Sequence, residues 1–412
     1  MTTANPTNET PASPAAASEA GALRTRAARE IPSEMSVGIY YGPGDVRVER
    51  RTVPDFGPDE MLVETLATGL CASEALDWYS RRAGGKVLGH EPVGVIAGIG
   101  ERVEGFEIGD RVFVNHPVGR LNSHWAVRGR FTKDPYFKSN RLDPGAMAEY
   151  FRVSAAHLRA DAHVLDDAID DAAATTIEPW SCVLGGLKQC MIQPGDTVAV
   201  VGAGFMGLGF THMAPLFGAG RVIALDFSDW RLSKATELGA SAVINPGDTD
   251  PVAALRACNR GLLADVVVLT APSESAFVSA RSLVEPGGTL HIGAPGPPGS
   301  QFVLDGTEAF LSEVTINSKY SADHRDTYQF IRLLESGRVD PSAAVTHELP
   351  FERLAEGFEM LTAADRSLKI VMRFKDRPPR PGSRHAAGDG HAAGSQNAAG
   401  KGGHAGKGGA DA

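Results

Sequence analysis

Val198-Ala199-Val200-Val201-Gly202-Ala203-Gly204-Phe205-Met206-Gly207 is the stretch that decides the fold. A valine-rich run reads as a buried strand, three glycines follow at GxGxxG spacing, and a helix-compatible segment comes next. Gly202 permits a tight turn, Gly204 lets the backbone approach a pyrophosphate, and Gly207 lets the helix pack closely on the strand. The first N–H groups of that helix are unpaired and favour phosphate. Phe205 and Met206, between the last two glycines, join the expected cofactor contacts. Asp226 lies 19 residues beyond Gly207, at the end of the next strand. A carboxylate there accepts hydrogen bonds from ribose hydroxyls and opposes a 2′-phosphate. Like charges about 4 Å apart in a partly screened site repel by up to about 4 kcal/mol, so NAD is expected in preference to NADP. Arg231, just after that strand, is grouped with the same contacts. Thr270 and Gly293, both at strand ends, fit either the nicotinamide half of the crevice or plain loops.

Outward from the fingerprint the pattern stays α/β. Val222 to Asp226, Ala242 to Ile244, Asp265 to Thr270 and Thr289 to Gly293 read as buried parallel strands. Asp229 to Leu238 and Ser273 to Leu283 carry helical spacing between them, which makes a doubly wound parallel sheet. Pro215 falls inside the expected helix after the fingerprint and should kink its last turn. Residues 36–175 favour strands and turns, as at Met61 to Thr65, Val93 to Ile99 and Asp110 to Val114. The expected layout is a tail over 1–35, a first domain over 36–175, the dinucleotide domain over 176–320, a return to the first domain over 321–375, and a second tail over 376–412. The return carries a helix near Asp326 to Ser336, stopped by Gly337. Both tails have a composition that does not offset its ordering entropy. His385, His391 and His404 in the second are read as solvated.

Composition narrows the class. The chain has 412 residues, 42% hydrophobic and 22% charged, as in a soluble globular protein of two domains. A formal charge of −10 argues against a nucleic-acid partner, and no apolar run is long enough to span a membrane. The four cysteines, Cys71, Cys182, Cys190 and Cys258, are too sparse for a disulfide framework. The last three read as packing residues. With no hydrophobic signal core at the N-terminus, the expected location is the cytoplasm.

Three short stretches supply chemistry: Gly69-Leu70-Cys71-Ala72-Ser73-Glu74, Gly89-His90-Glu91 and Ile177-Glu178-Pro179. A thiol, an imidazole and carboxylates suit one zinc site that keeps an open position, where an alcohol would be acidified. Alone, Cys71 also reads as a small core residue and His90 as a turn residue.

Together with Leu88-Gly89-His90-Glu91, Asp110-Arg111-Val112 and the fingerprint, these stretches resemble the zinc-dependent medium-chain alcohol dehydrogenases. The Glu178-Pro179 pair is similar to the sorbitol and threonine dehydrogenase branch. The resemblance spans about residues 36–375 and implies a GroES-like β-barrel catalytic domain, a Rossmann domain and a cleft between them. It implies Cys71 and His90 as zinc ligands, with Glu91 and Glu178 competing for the third position. It implies Ser73 on the substrate hydroxyl, Glu74 orienting the site, and Lys369 reaching the cofactor pyrophosphate. A homodimer or homotetramer is implied as well.

Three departures stand out. No cysteine lies between Val114 and Tyr150, so one catalytic zinc and no structural zinc is expected. Leu76 occupies the position of a relaying histidine, so proton release needs another path, through Asp77 or water. The stretch in place of the zinc lobe is basic, with Arg120, Arg128, Arg130, Lys133, Lys138 and Arg141 against Asp134 and Asp143, and with His116 and His124 nearby. Folded over the cleft, it would favour a phosphorylated or carboxylated substrate. The expected activity is zinc-dependent hydride transfer from a secondary alcohol (a polyol, sugar, cyclitol or amino-acid-like molecule) to NAD. The alternatives are a zinc-free NAD(P)H-dependent quinone or enone reductase, a dehydrogenase of anionic alcohols, and a non-catalytic NAD-sensing protein.

Overall fold

A computed structural model describes residues 26–27, 30–80, 86–271 and 273–375. The second expected tail, with His385, His391 and His404, lies outside them. The first half of the described chain is mostly strands: β1 (Arg26–Ala27), β2 (Glu34–Gly42), β3 (Asp45–Thr52), β4 (Met61–Leu70), β5 (Pro92–Ile99), β6 (Arg111–Val114), β7 (Tyr150–Val153) and β8 (Ala162–Val164). Strands β2 and β3 form an antiparallel hairpin. The expected tail over 1–35 is corrected at its end. Arg26–Ala27 pairs with β5 at Gly98–Ile99, and Met35 in β2 is buried.

From Thr197 the period changes. Strands β9 (Thr197–Val201), β10 (Arg221–Leu225), β11 (Ala242–Ile244), β12 (Ala264–Leu269), β13 (Val284–Ile292) and β14 (Thr315–Ser318) form a wholly parallel sheet in the order β11-β10-β9-β12-β13-β14. The strand order reverses at β9, the strand that feeds the fingerprint, and a ligand crevice forms at such a switch point. Val198, Ala199 and Val200 are fully buried, as strands covered on both faces require. The helix Phe205–Met213 ends before Pro215 and becomes a 3₁₀ turn over Ala214–Phe217. Proline, lacking an N–H, therefore terminates this helix rather than kinking it.

The chain then returns through β15 (Val345–Pro350) and β16 (Lys369–Arg373) to an eight-stranded mixed sheet ordered β15-β16-β4-β5-β6-β8, with β7 on β4 and β1 on β5. Its ladder is an open path among the described residues. The antiparallel pairing of β16 with β4 brings Lys369 beside the end of β4. The helix Ile177–Leu187 joins the two sheets. Apart from Cys182 its residues are buried, and Gly185 has no room for a side chain because the Asp326 carboxylate and Lys319 pack against it.

His157, in the short helix after β7, ties that helix to the loop after β6. Its Nδ1 is 2.8 Å from the Ser154 hydroxyl, and its Nε2 donates to the His116 carbonyl at 3.1 Å. Burial pushes its pKa down to about 4. The unfolded chain, with histidine near 6.5, thus binds more protons than the folded one between those values. Stability falls as pH drops through that window, by up to about 3 kcal/mol. Unfolding free energies measured from pH 7 to pH 4 should fall less steeply in His157→Gln than in the parent. Identical slopes would contradict the assignment.

Candidate active site

Adjacent ends of antiparallel strands assemble the first cluster. Cys71 immediately follows β4, while His90 and Glu91 immediately precede β5, the neighbour of β4. The Cys71 sulfur, one His90 nitrogen and one Glu91 oxygen lie within 4.8 Å of one another. Gly89 makes the approach possible, with φ at +96° and the backbone of Ala146 and Met147 where a Cβ would stand.

Glu74 binds both ligand segments. Its carboxylate accepts from the Cys71 N–H at 3.2 Å and the Gly89 N–H at 2.8 Å, and it meets His90 Nδ1 at 3.0 Å. That contact fixes the ring and leaves Nε2 for an ion, the usual carboxylate–histidine–metal arrangement. Burial alone would depress the His90 pKa. The Glu74 carboxylate and Cys71 outweigh it and hold the imidazole well above its ordinary value. A cation taken up here therefore displaces a proton.

Glu91 is fully buried, and β16 supplies its counter-charge. Lys369 Nζ reaches Glu91 Oε2 at 2.5 Å and the Leu70 carbonyl at 3.0 Å. Gly69 leaves space for that carboxylate, since a Cβ there would stand 1.9 Å from Oε2. The other oxygen, Oε1, is buried with no partner. A buried carboxylate oxygen without a donor, beside a thiol and an imidazole, is a donor set that fits a cation. In the structure the partner of Lys369 is thus Glu91, and loss of either member would leave the other charge buried and unpaired.

Glu178 stands outside the 4.8 Å cluster but within its field. Burial raises its pKa, and Glu91 adds to the rise. Cys182, one turn on, donates its thiol to Glu178 Oε1 at 3.6 Å; desolvation of the sulfur and the adjoining Glu178 carboxylate hold that thiol well above its ordinary pKa. The Ser73 hydroxyl donates to the Cys71 sulfur at 3.1 Å. Asp77 accepts from the Tyr40 hydroxyl at 3.4 Å. A histidine outside the expected ligand set lies close by. The His116 ring is 6.3 Å from that of His90, and its buried Nδ1 has no partner.

The fingerprint has the required shape. Gly202 sits at φ +100°, and a Cβ on Gly207 would stand 1.8 Å from the Gly202 carbonyl. Gly204, by contrast, faces open space, the gap that a pyrophosphate needs at the start of the helix Phe205–Met213. Asp226 accepts from the Ala203 N–H at 2.8 Å and the Ser228 N–H at 2.9 Å. Arg231 lies 3.8 Å from Asp226, donates to the Ala364 carbonyl at 2.8 Å, and keeps a buried Nε without a partner. Thr270 turns its hydroxyl to the Gly202 carbonyl at 2.8 Å, bracing the fingerprint turn rather than facing the crevice. Gly293 continues β13 and donates to the Leu269 carbonyl at 2.8 Å. Phe205 links the two centres: its ring stacks on Trp180 at 5.4 Å, and Lys369 Nζ lies 4.5 Å from its centroid. That link, like the Lys369–Glu91 pair, has no local sequence signal.

Among the described residues no helix is long and apolar enough to cross a membrane. The model of the zinc-binding dehydrogenases matches residues 206–336, and that of the alcohol dehydrogenase GroES-like domain matches residues 57–161. The chain is 30% identical to the sorbitol dehydrogenase of Bacillus subtilis (strain 168), over 83% of this chain and 98% of that one. It is 28% identical to an alcohol dehydrogenase of Cupriavidus necator, over 82% of this chain and 98% of that one. Among solved structures, the alcohol dehydrogenase TADH from Thermus sp. ATN1 superposes with a TM-score of 0.73 at 27% identity, covering 82% of this chain and 99% of that one.

Proposed function

Because the chain belongs to the zinc-binding medium-chain dehydrogenase family, an oxidoreductase family, we propose that it oxidises a secondary alcohol with NAD as hydride acceptor. The observation that carries this reading is the cluster of Cys71, His90 and Glu91 with its unpartnered Glu91 oxygen. Those three residues would hold zinc, and Glu178 would face the position left for water or substrate. When bound, zinc supplies Lewis acidity to the alcohol oxygen. Ser73 would hydrogen-bond that oxygen and relay its proton, accepting it while passing its own hydroxyl proton on to water or to Asp77. Glu74 keeps His90 in one tautomer throughout. Gly202, Gly204, Phe205, Met206 and Gly207 would hold the pyrophosphate, Asp226 and Arg231 the ribose end, and Gly293 the nicotinamide end. Residues 36–175 and 321–375 would form the catalytic domain, with residues 176–320 the cofactor domain.

The sorbitol dehydrogenase relatives favour a polyol or sugar as substrate. The test is NAD reduction by the full chain over a panel of secondary alcohols, before and after chelation. Turnover that chelation removes and zinc restores is expected. Chelator-insensitive reduction of quinones or enones with NADPH would overturn the reading.

A separate expectation concerns cofactor choice. In Asp226→Ala the carboxylate opposing a 2′-phosphate is gone and Arg231 is left unopposed. The kcat/KM ratio of NAD over NADP should fall by about tenfold or more. An unmoved ratio would mean that the ribose end lies elsewhere.

A further inference from the structure

The basic stretch does fold over a cleft, one that does not contain the Cys71–His90–Glu91 cluster. Phe131 packs edge-on against His324 at 4.5 Å and beneath Arg325 at 4.7 Å, while Arg325 donates to the Gly129 carbonyl at 3.3 Å. These contacts hold the segment 128–133 against the start of the helix His324–Glu335. Between that segment, the end of helix Ile177–Leu187 and the residues just after β14 lies a cleft of about 500 Å³, a small-molecule size. Gly185 on its wall is seven residues beyond Glu178, or about 10 Å along the helix axis. The cleft also borders Ser318 to Tyr320, at the carboxyl end of a parallel strand, the edge where ligands of such sheets bind.

Its charge is mainly positive, with Asp326 the one carboxylate in its lining. Six cations line it, Arg128, Arg130, Lys133, Lys188, Lys319 and Arg325. Lys188 pairs with Asp326 at 2.6 Å, Lys319 with Asp323 and Asp326 at 3.0 and 3.1 Å, and Arg325 with Asp323 at 3.0 Å. Two carboxylates thus serve three of the cations. Arg128, Arg130 and Lys133 have no carboxylate partner among the described residues. Lys133 lies over the Tyr320 ring at 5.2 Å. Its pKa is pushed down by burial and by the neighbouring Lys138, Lys319 and Arg130. Cations gathered in a cleft of this size focus a positive potential that attracts a polyvalent anion.

We infer that this cleft binds the phosphate-bearing end of a small organic molecule through Arg128, Arg130 and Lys133. The test uses inorganic pyrophosphate as probe, titrated calorimetrically into the full chain saturated with NADH, so that the dinucleotide crevice is filled. Binding is expected with NADH present. It should weaken roughly tenfold or more in the triple variant Arg128→Ala/Arg130→Ala/Lys133→Ala and fall with added salt, with NADH affinity unchanged. Lys133→Gln alone should show a smaller loss and guards against a folding defect in the triple variant. Pyrophosphate that NADH excludes, or that binds parent and triple variant equally, overturns the inference. No turnover is needed, so this result is independent of the alcohol-oxidation reading.

Two sources could present that group. If it belongs to the substrate, the triple variant raises KM for a phosphorylated polyol and not for its unphosphorylated parent. If it belongs to an effector, pyrophosphate alters turnover of the unphosphorylated polyol in the parent chain and not in the variant. Either result upholds the site and assigns its source.

Discussion

Cys71→Ser and His90→Ala are each expected to lower turnover by at least about 10³-fold, since loss of the metal's charge stabilisation removes several kcal/mol. Cys71 and His90 come from neighbouring strand ends and share the Glu74 carboxylate, so loss of either removes a donor and loosens the other. The fingerprint is built by a different sheet, and NADH affinity should therefore change by no more than about twofold. Steady-state kcat/KM and NADH fluorescence titration, run on the same preparations, separate the two effects. Undiminished turnover in either variant would contradict the proposed metal site, and parallel loss of NADH binding would point to a fold defect.

Lys369→Met should destabilise the chain severely. It leaves Glu91 buried without its cation, and breaking a buried pair in this way costs about 3–5 kcal/mol. Lys369 and Glu91 are 2% and 0% exposed in their side chains, so water does not compensate. Glu91→Gln in the same chain should recover most of the loss, a coupling that a denaturation double-mutant cycle measures directly. The loss should also be smaller with zinc added than after chelation, because a cation on Glu91 Oε1 supplies the missing charge. Equal losses in both states would argue that Glu178, not Glu91, is the direct ligand. Additive single effects would contradict the pair itself.

What is legible in the sequence is local. The strand, three glycines and helix start of the fingerprint lie within one short stretch, so spacing alone carries the geometry, and Asp226 follows at the next strand end. Glu74 and His90 are within reach because the short turn after Cys71 folds back on the Gly89 loop. Lys369 is not. It meets Glu91 across 278 residues, and only the return of β16 onto β4 creates the contact. A lysine before an apolar run gives no local sign of burial. The basic cleft is similar: its cations come from the 128–133 segment, the end of one helix, the residue following β14 and the start of the helix His324–Glu335, and the sequence places only the first group. At Pro215 the missing N–H is plain from the sequence, but its consequence depends on how the chain continues, here as a 3₁₀ turn. Arg26–Ala27 reads as tail because a two-residue strand exists only through the edge it pairs with.

The most direct measurement is zinc per chain, by elemental analysis of protein purified without a histidine tag or added metal, in the parent and in Cys71→Ser. About one zinc in the parent, lost together with turnover in the variant, is the predicted result. A chain that takes up no zinc on reconstitution, or that keeps its zinc and its turnover without Cys71, would contradict the proposed zinc site.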